Sequence, residues 1–318
     1  MSKKIFVHIG AHKSASTTLQ RNFLLNKEKL LQQGLSFITP STIATSPLGK
    51  HFRVLAKGQL EEKNKYQRSL QAARDSLAAI ASSPADREHN LLLSWEGFLG
   101  HSSLDRYKGI YANMDRIGES LAYIFQDYSY HLLLLIRRQD DFIESCYLQQ
   151  IKERRHITFS DFLASIDFKN TSWLNITKDL QNQCGKENLS VIPFECIKHL
   201  GTAAFIEACL RCFPATVDVS NFSWLRKANS SLSKEGVDLA LQALPHIENA
   251  LAKREFMRII FAYFSSAKFG KSKIFDDFSR RLLVEYCRED NAHLLEHHVS
   301  SRIDAKVGKT VAQYWLGS

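Results

Sequence analysis

Residues 5–20 combine an apolar segment, a short loop with one lysine, and a group of hydroxyl side chains. The apolar segment is typical of a strand, and the hydroxyl-rich segment is typical of a helix start. The first turn of a helix has unpaired backbone N–H groups and a partial positive charge, which together stabilise a bound anion. Lys13 adds a full positive charge. Hydroxyl donors are supplied by Ser14, Ser16, Thr17 and Thr18. The segment therefore predicts a phosphate-binding loop, in which Ser16 or Thr17 could also cap the helix.

The order of residues in this loop differs from that of nucleoside-triphosphate loops, which read Gly-x-x-x-x-Gly-Lys-Ser/Thr. Lys13 lies only three positions after Gly10, and Ala15 occupies the position of the second glycine. Residues 13–17, Lys-Ser-Ala-Ser-Thr, resemble instead the loop of sulfotransferases that use 3′-phosphoadenosine 5′-phosphosulfate (PAPS), which reads Lys-x-Gly/Ala-Ser/Thr-Thr. The preceding His-Ile-Gly-x-His-Lys is similar to that of bacterial carbohydrate-type members.

Residues 131–150 contain a second apolar segment, which ends in two arginines and continues into a helical pattern. Its run of aliphatic residues is far shorter than the roughly 20 residues that cross a bilayer, and it suits a strand covered on both faces. In the sulfotransferase family, an arginine at a strand end and a serine eight residues later hold the 3′-phosphate of the donor. Arg137 and Ser145 have that spacing, so the resemblance implies this role for them. Arg138 would then be a neighbouring surface cation, although a register shift of one residue exchanges the two arginines.

The resemblance also implies a catalytic base after the third strand. Bacterial carbohydrate-type members have Ser-x-Glu at this point, which resembles Ser94-Trp95-Glu96 and implies Glu96 as the base. A helix cap or a partner of an arginine is the alternative role for this glutamate. His51 and His101 are the other candidates for the base, because neutral histidine titrates near the working pH.

A late segment extends the resemblance to about residue 235. Arg226 and Lys227 resemble a segment that contacts the 3′-phosphate in cytosolic members, with Ala228 in place of the family's glycine. The implied activity is transfer of a sulfuryl group from PAPS to a hydroxyl, with 3′,5′-ADP as product and no metal. A carbohydrate or glycoconjugate is the favoured acceptor. In this reaction Lys13 would stabilise the leaving phosphate oxygen.

Two other functions remain open from the residues alone. A kinase that uses ATP would need a metal-holding carboxylate after a strand, and Asp140 or Asp141 could supply it. A non-catalytic nucleotide-binding protein could also have kept the pocket and lost the chemistry.

The composition predicts the kind of partner and the compartment. A net charge of +9 indicates an anionic partner, and no nucleic-acid motif accompanies the basic cluster Lys268, Lys271 and Lys273. The six cysteines have no disulfide-framework spacing, and neither the pair Cys209 and Cys212 nor the pair His293 and His297 completes a metal site. We therefore expect a cytoplasmic protein without a secretion signal, a transmembrane segment, a bound metal or a nucleic-acid partner.

Alternating strands and helices predict a P-loop-type α/β fold with a parallel five-stranded sheet flanked by helices. The strands are expected near residues 4–9, 35–38, 91–95, 131–136 and 189–193. Residues 1–318 are expected to form one domain, with a sheet core to about 235 and a mostly helical part from about 236 to 318. Late helices are expected over 201–213, 233–244, 250–264 and 278–287. Because ligands of such sheets bind at the carboxyl ends of the strands, Lys13, Glu96 and Arg137 should share one edge.

Overall fold

Five parallel strands form one sheet in the computed structural model, which describes residues 3–111, 113–213, 217–225 and 231–317. The strands are β1 (Lys4–Gly10), β2 (Leu35–Ile38), β3 (Asn90–Ser94), β4 (Ser129–Ile136) and β5 (Leu189–Pro193). Their spatial order is β2-β3-β1-β4-β5, so β1 lies at the centre with β3 and β4 beside it. The predicted α/β class and the five-stranded parallel sheet are confirmed.

Helices connect the strands and continue after the last one. Those before β4 are α1 (Ser16–Leu25), α2 (Lys27–Gln32), α3 (Pro40–Thr45), α4 (Pro47–Ala56), α5 (Lys63–Ala81), α6 (Leu104–Tyr107) and α7 (Met114–Phe125). Those between β4 and residue 211 are α8 (Gln139–Lys152), α9 (Phe159–Ala164), α10 (Trp173–Cys184) and α11 (Cys196–Arg211). The late helices are α12 (Lys234–Ala243), α13 (Ala250–Tyr263), α14 (Ser266–Phe269), α15 (Asp277–Tyr286), α16 (Arg288–His297) and α17 (Ala305–Leu316).

The central strands are buried on both faces, as their aliphatic sequences require. Residues 132–136 of β4 are fully buried, and Ile5 to Val7 of β1 are nearly so. A parallel strand covered by helices on both faces needs apolar side chains in both directions. The register places His8 beside Ser94 and Gly10 beside Leu134, so the loops after β1, β3 and β4 leave the sheet at the same edge.

The helical part after β5 returns to the sheet. Helix α11 is interrupted at Gly201, whose φ of 75° is not helical, so the part after Gly201 agrees with the helix predicted over 201–213 and a short helical turn from Cys196 precedes it. The backbone N–H of Ser300 donates to the Val191 carbonyl of β5 at 2.9 Å. This contact agrees with a single domain. The division of the chain into domains stays a prediction. None of the helices in the described ranges has the length and apolar character needed to span a membrane.

Arg138 is a buried member of an ion-pair cluster and not the surface cation that the sequence suggested. Its guanidinium donates to both carboxylate oxygens of Asp140, at 2.6 and 2.7 Å, and lies 3.8 Å from the centre of the Tyr314 ring. Arg280 of α15 donates to the same carboxylate and to Glu144. Helices α15 and α17 therefore cover Arg138, which is 7% exposed. The sequence could not predict this burial, because the covering residues lie more than a hundred positions away.

His51 lies inside helix α4 and not on a loop at the sheet edge. It is fully buried, and its Nδ1 and Nε2 atoms are hydrogen bonded to the hydroxyls of Ser69 and Ser120, at 2.9 and 3.0 Å. Burial lowers the pKa of His51 to about 4. Because both ring nitrogens are engaged inside the core, His51 is a structural residue, and its placement as a possible base is wrong.

Buried neutral histidines should make the fold sensitive to acid. Burial lowers the pKa of His8 and of His51 to about 4, an effect that Glu96 partly opposes at His8. Between pH 6.5 and pH 4 the unfolded chain binds more protons at these two positions. The free energy of unfolding should therefore fall with falling pH, by about 1.4 kcal/mol per pH unit for each histidine.

We expect His51→Gln to reduce the pH dependence of the free energy of unfolding by the contribution of one histidine. Urea unfolding between pH 7.5 and pH 5 measures this dependence. The exposed His246 provides the matched control, because His246→Gln should leave the slope unchanged. A His51→Gln variant with the full wild-type slope would contradict the assignment of a neutral buried imidazole.

Candidate anion-binding site

The loop between β1 and α1 adopts backbone conformations that are unusual for its residues. Lys13 and Ala15 have φ values of 60° and 67°, in the left-handed region. Ala15 is the N-cap of α1, so the predicted capping by Ser16 or Thr17 is wrong. Ser16 already belongs to the helix, and its buried hydroxyl donates to the Ala11 carbonyl at 3.1 Å. This bond links the two ends of the loop.

The start of α1 presents backbone N–H groups to the sheet edge. The first hydrogen bonds of the helix are those from the Thr18 and Leu19 amides to the Ala15 carbonyl, at 2.8 and 3.0 Å. The amides of Ser16 and Thr17 precede these bonds and therefore point out of the helix end. Backbone amides around a left-handed residue form a concave surface that binds anions. The Ser16 and Thr17 amides are therefore free of intrahelical partners at this edge, and their binding of a phosphate stays a prediction.

Lys13 lies in a crowded, positively charged environment. Its side chain is half-buried, and Nζ donates to Oε1 of Gln149 on α8 at 3.2 Å. Burial lowers the pKa of Lys13, and the nearby cations Lys152 and Arg137 lower it further, against the opposite effect of Cys146. A bound anion would offset the repulsion among these cations.

Arg137 joins the end of β4 to the loop after β1. Its Nη1 atom donates to the Lys13 carbonyl at 3.1 Å, and its Nη2 atom lies 3.9 Å from a carboxylate oxygen of Asp141. The guanidinium is 5.2 Å from the centre of the Phe194 ring. Its Nε atom is buried and has no hydrogen-bond partner in the described part of the chain. Since buried N–H groups are almost always paired, this atom indicates an acceptor other than the residues that the structure describes.

Ser145 lies on the part of α8 that reaches the same loop. It is partly exposed, and its hydroxyl has no hydrogen-bond partner among the residues that the structure describes. Gln149, which contacts Lys13, lies one helical turn further along the same face of α8. The loop, Arg137 and this face of α8 therefore meet at one edge of the sheet. Gln149 carried no signal of its own in the sequence, apart from this helical spacing.

Glu96 borders the same loop from the other side. It begins a short 3₁₀ turn, Glu96–Phe98, directly after β3, and its Oε2 atom accepts a hydrogen bond from Nε2 of Gln20 at 2.7 Å. A Cβ atom at Gly10 would lie 3.3 Å from the Glu96 backbone, so β1 and this turn are in close contact. Glu96 is partly exposed, and its hydrogen-bond partner is the side-chain amide of Gln20 and not an arginine. Glu96 therefore lies at the same edge of the sheet as the loop after β1, and its role as a base stays a prediction.

The remaining candidates are His101 and the pair Arg226 and Lys227. His101 lies on an exposed loop near the site, but its Nδ1 accepts a hydrogen bond from the Ser103 backbone amide at 3.2 Å. Its Nε2 atom therefore carries the proton in the neutral ring and does not offer a lone pair. Arg226 and Lys227 lie outside the described residues.

Asp140 and Asp141 are both engaged by arginines. Asp140 pairs with Arg138 and Arg280, and Asp141 accepts from Arg280 and, at 2.6 Å, from the Tyr314 hydroxyl. Although burial acts in the opposite direction, Arg137, the Tyr314 hydroxyl and Arg280 hold the pKa of Asp141 below its ordinary value. These carboxylates already have cationic partners, so neither matches the free carboxylate that the kinase hypothesis requires.

We expect Ala15→Gly to stabilise the protein slightly, because a left-handed conformation costs a residue with a Cβ atom about 1–2 kcal/mol. The larger entropy of glycine in the unfolded chain offsets about 0.4–1 kcal/mol of this gain. The matched control is Ala72→Gly on the exposed side of α5, which should destabilise by about 1 kcal/mol. Thermal or urea unfolding measures both, and equal losses in the two variants would contradict the loop conformation.

Comparison with known proteins finds distant structural similarity. No family model matches the sequence, and no curated protein matches it. The chain is similar to the crystal structure of a sulfotransferase from Alicyclobacillus acidocaldarius, with a TM-score of 0.41 and 12% identity, over 80% of this chain and 100% of the other. Similarity at this level carries no information on activity.

Proposed function

We propose that this protein is a PAPS-dependent sulfotransferase that transfers a sulfuryl group to a hydroxyl of a carbohydrate or glycoconjugate. The observation that carries the proposal is the contact between Arg137 and the Lys13 carbonyl, together with the buried, unpartnered Nε atom of Arg137. A helix start and an arginine that needs an acceptor lie side by side. A nucleotide with phosphate groups at both its 5′ and 3′ positions would supply anions to both.

The proposed donor contacts follow from this arrangement. The amides of Ser16 and Thr17, with Lys13, would bind the 5′-phosphosulfate, and the hydroxyl of Thr18 would add a donor. The predicted contribution of the Ser14 hydroxyl is wrong, because Ser14 is fully buried and its hydroxyl donates to the His12 carbonyl at 3.3 Å. The 3′-phosphate would lie against the guanidinium of Arg137 and the hydroxyl of Ser145. The backbone of Ala15 forms part of the loop. Arg226 and Lys227 are proposed as further donor contacts on the resemblance alone.

The proposed chemistry is an in-line transfer in which the protein supplies position and charge. Glu96 takes the proton of the acceptor hydroxyl while the acceptor oxygen forms a bond to sulfur. The bond between sulfur and the bridging phosphate oxygen breaks, and its electron pair stays on the phosphate of the product, 3′,5′-ADP. Lys13 stabilises the negative charge that develops on this oxygen. No oxidant, reductant or further reactant is needed.

The net charge and the cysteines of the chain support an anionic donor and a reducing compartment. The net charge of +9 favours an anionic donor. All six cysteines are buried free thiols, which agrees with the reducing environment of the cytoplasm.

Donor binding provides the first test. Isothermal titration calorimetry without magnesium should show tight binding of 3′,5′-ADP and much weaker binding of ATP. Arg137→Ala should weaken 3′,5′-ADP binding by about 10- to 100-fold, since a hydrogen bond to a charged group is worth about 1.5–3 kcal/mol. Arg68→Ala, on the exposed side of α5, is the control and should bind as the wild type does. Equal affinity for ATP, or no effect of Arg137→Ala, would favour the rival functions.

The assignment of Glu96 is tested by transfer of label from [³⁵S]PAPS to a panel of sugars and glycolipids. For any acceptor found, Glu96→Gln should lower kcat by about 10²–10⁴-fold, the usual contribution of a general base, and leave 3′,5′-ADP affinity within about twofold. The exposed Glu61 gives the control variant Glu61→Gln, which should keep full activity. A Glu96→Gln enzyme with wild-type kcat would remove this residue from the mechanism.

A further inference from the structure

His12, the residue before Lys13, makes an unusual pair of contacts with one buried hydroxyl. Its backbone N–H donates to the Tyr111 oxygen at 2.7 Å, and its ring atom Nδ1 lies 3.0 Å from the same oxygen. Tyr111 is 5% exposed and has no other hydrogen-bond partner in the described ranges. The hydroxyl therefore binds the backbone and the ring of one residue.

These contacts determine which ring nitrogen of His12 carries the proton. The backbone N–H can only donate, so the Tyr111 oxygen accepts there. The Tyr111 proton then needs an acceptor, and His12 Nδ1 is the one within reach, because a buried hydroxyl is rarely left unpaired. Nδ1 is therefore an acceptor, and the proton of the neutral ring is on Nε2. In histidine, the hydrogen bond at one ring nitrogen determines whether the other nitrogen carries the proton.

The surroundings keep the ring neutral. Burial, together with the nearby His101 and Lys13, lowers the pKa of His12 to about 3. Burial also raises the pKa of Tyr111, so its hydroxyl keeps its proton. The titratable groups around the pair are Lys13 on the same loop, His101 on the loop after β3, and Glu96 and Cys146, whose charges would act on Tyr111.

The Nε2–H of His12 is available to a ligand. It has no hydrogen-bond partner in the described part of the chain, and it is not among the buried unpaired atoms there. The His101 ring, with its centre 6.2 Å from that of His12, is also fixed with its proton on Nε2 by the Ser103 amide. Two imidazoles beside Lys13 thus present N–H donors, and neither presents a base.

We infer that His12 is a further catalytic residue, a neutral donor whose Nε2–H binds a non-bridging oxygen of the sulfuryl group during transfer. This inference rests on the proposed function. Charge on these oxygens shifts as sulfur passes between the phosphate oxygen and the acceptor oxygen, and a fixed neutral donor stabilises it without repelling Lys13. The proton stays on His12 throughout, because Glu96 receives the acceptor proton. Tyr111 is a positioning residue that acts through His12.

The tautomer can be measured without any assay of activity. In ¹⁵N-labelled protein, long-range ¹H–¹⁵N correlation spectra should show a His12 ring with protonated Nε2 and unprotonated Nδ1, unchanged from pH 8 to pH 5. His12→Gln should remove these signals and thereby assign them. Tyr111→Phe should bring the two nitrogen shifts towards each other, because the Nδ1 partner is lost. A His12 ring that titrates near pH 6.5, or carries its proton on Nδ1, would overturn the inference.

The catalytic role is tested by hydrolysis of PAPS without an acceptor, in which water receives the sulfuryl group and 3′,5′-ADP and sulfate form. His12→Ala should lower kcat by about 10²-fold, as for the loss of one donor to developing charge. His12→Gln, whose amide N–H can occupy the position of Nε2, should recover most of this loss, and His12→Asn should not. All three should bind 3′,5′-ADP within about twofold of the wild type.

The outcomes separate this inference from the proposed function. If the wild type binds 3′,5′-ADP and His12→Ala hydrolyses PAPS at the wild-type rate, the role of His12 is wrong and the proposed function stands. A parallel loss of 3′,5′-ADP binding in the three variants would also overturn it, because His12 would then be a structural part of the loop. If the wild type does not bind 3′,5′-ADP, the proposed function itself fails.

Discussion

The hydrogen bond from Arg137 to the Lys13 carbonyl is the contact on which the site depends. It joins the residue that follows β4 to the loop that follows β1, and both strands are neighbours at the centre of the sheet. Parallel pairing brings the carboxyl ends of these strands to one edge, so two segments more than a hundred residues apart become adjacent. The left-handed backbone at Lys13 and Ala15 then directs the amides of α1 to the same place.

The late helices contribute to this edge through charge pairing. Arg280 of α15 and Tyr314 of α17 contact Asp140 and Asp141 at the start of α8, directly after Arg137. A buried carboxylate needs such partners, because an unpaired charge in the interior is strongly destabilising. With Arg138 occupied by Asp140, Arg137 is the arginine of the pair that keeps a buried N–H without a partner. The helices after β5 therefore determine which of the two arginines faces the candidate site.

Much of the fold and part of the site could be predicted from local patterns. The aliphatic run that ends at Ile136 and the strand before Lys13 were recognisable because parallel strands are apolar throughout. The order of hydroxyls after Lys13 pointed to a helix start at an anion site. These features depend on neighbouring residues, and for that reason the sequence alone displays them.

The features that were not predicted depend on distant contacts. Burial of Arg138 requires α15 and α17, and burial of His51 requires serines from α5 and α7. The tautomer of His12 depends on Tyr111, a hundred residues away in the chain. Hydrophobic periodicity carries no information about which side chains a buried polar group will meet. Such pairings become visible only when the elements are packed.

A crystal structure of the protein with 3′,5′-ADP would show whether the start of α1 and Arg137 bind the two ends of one nucleotide. We expect one phosphate at the amides of Ser16 and Thr17, beside Lys13, and the other within hydrogen-bond distance of Arg137, including its Nε atom, and of Ser145. A nucleotide bound at another edge of the sheet, or with neither phosphate near Arg137, would contradict this expectation.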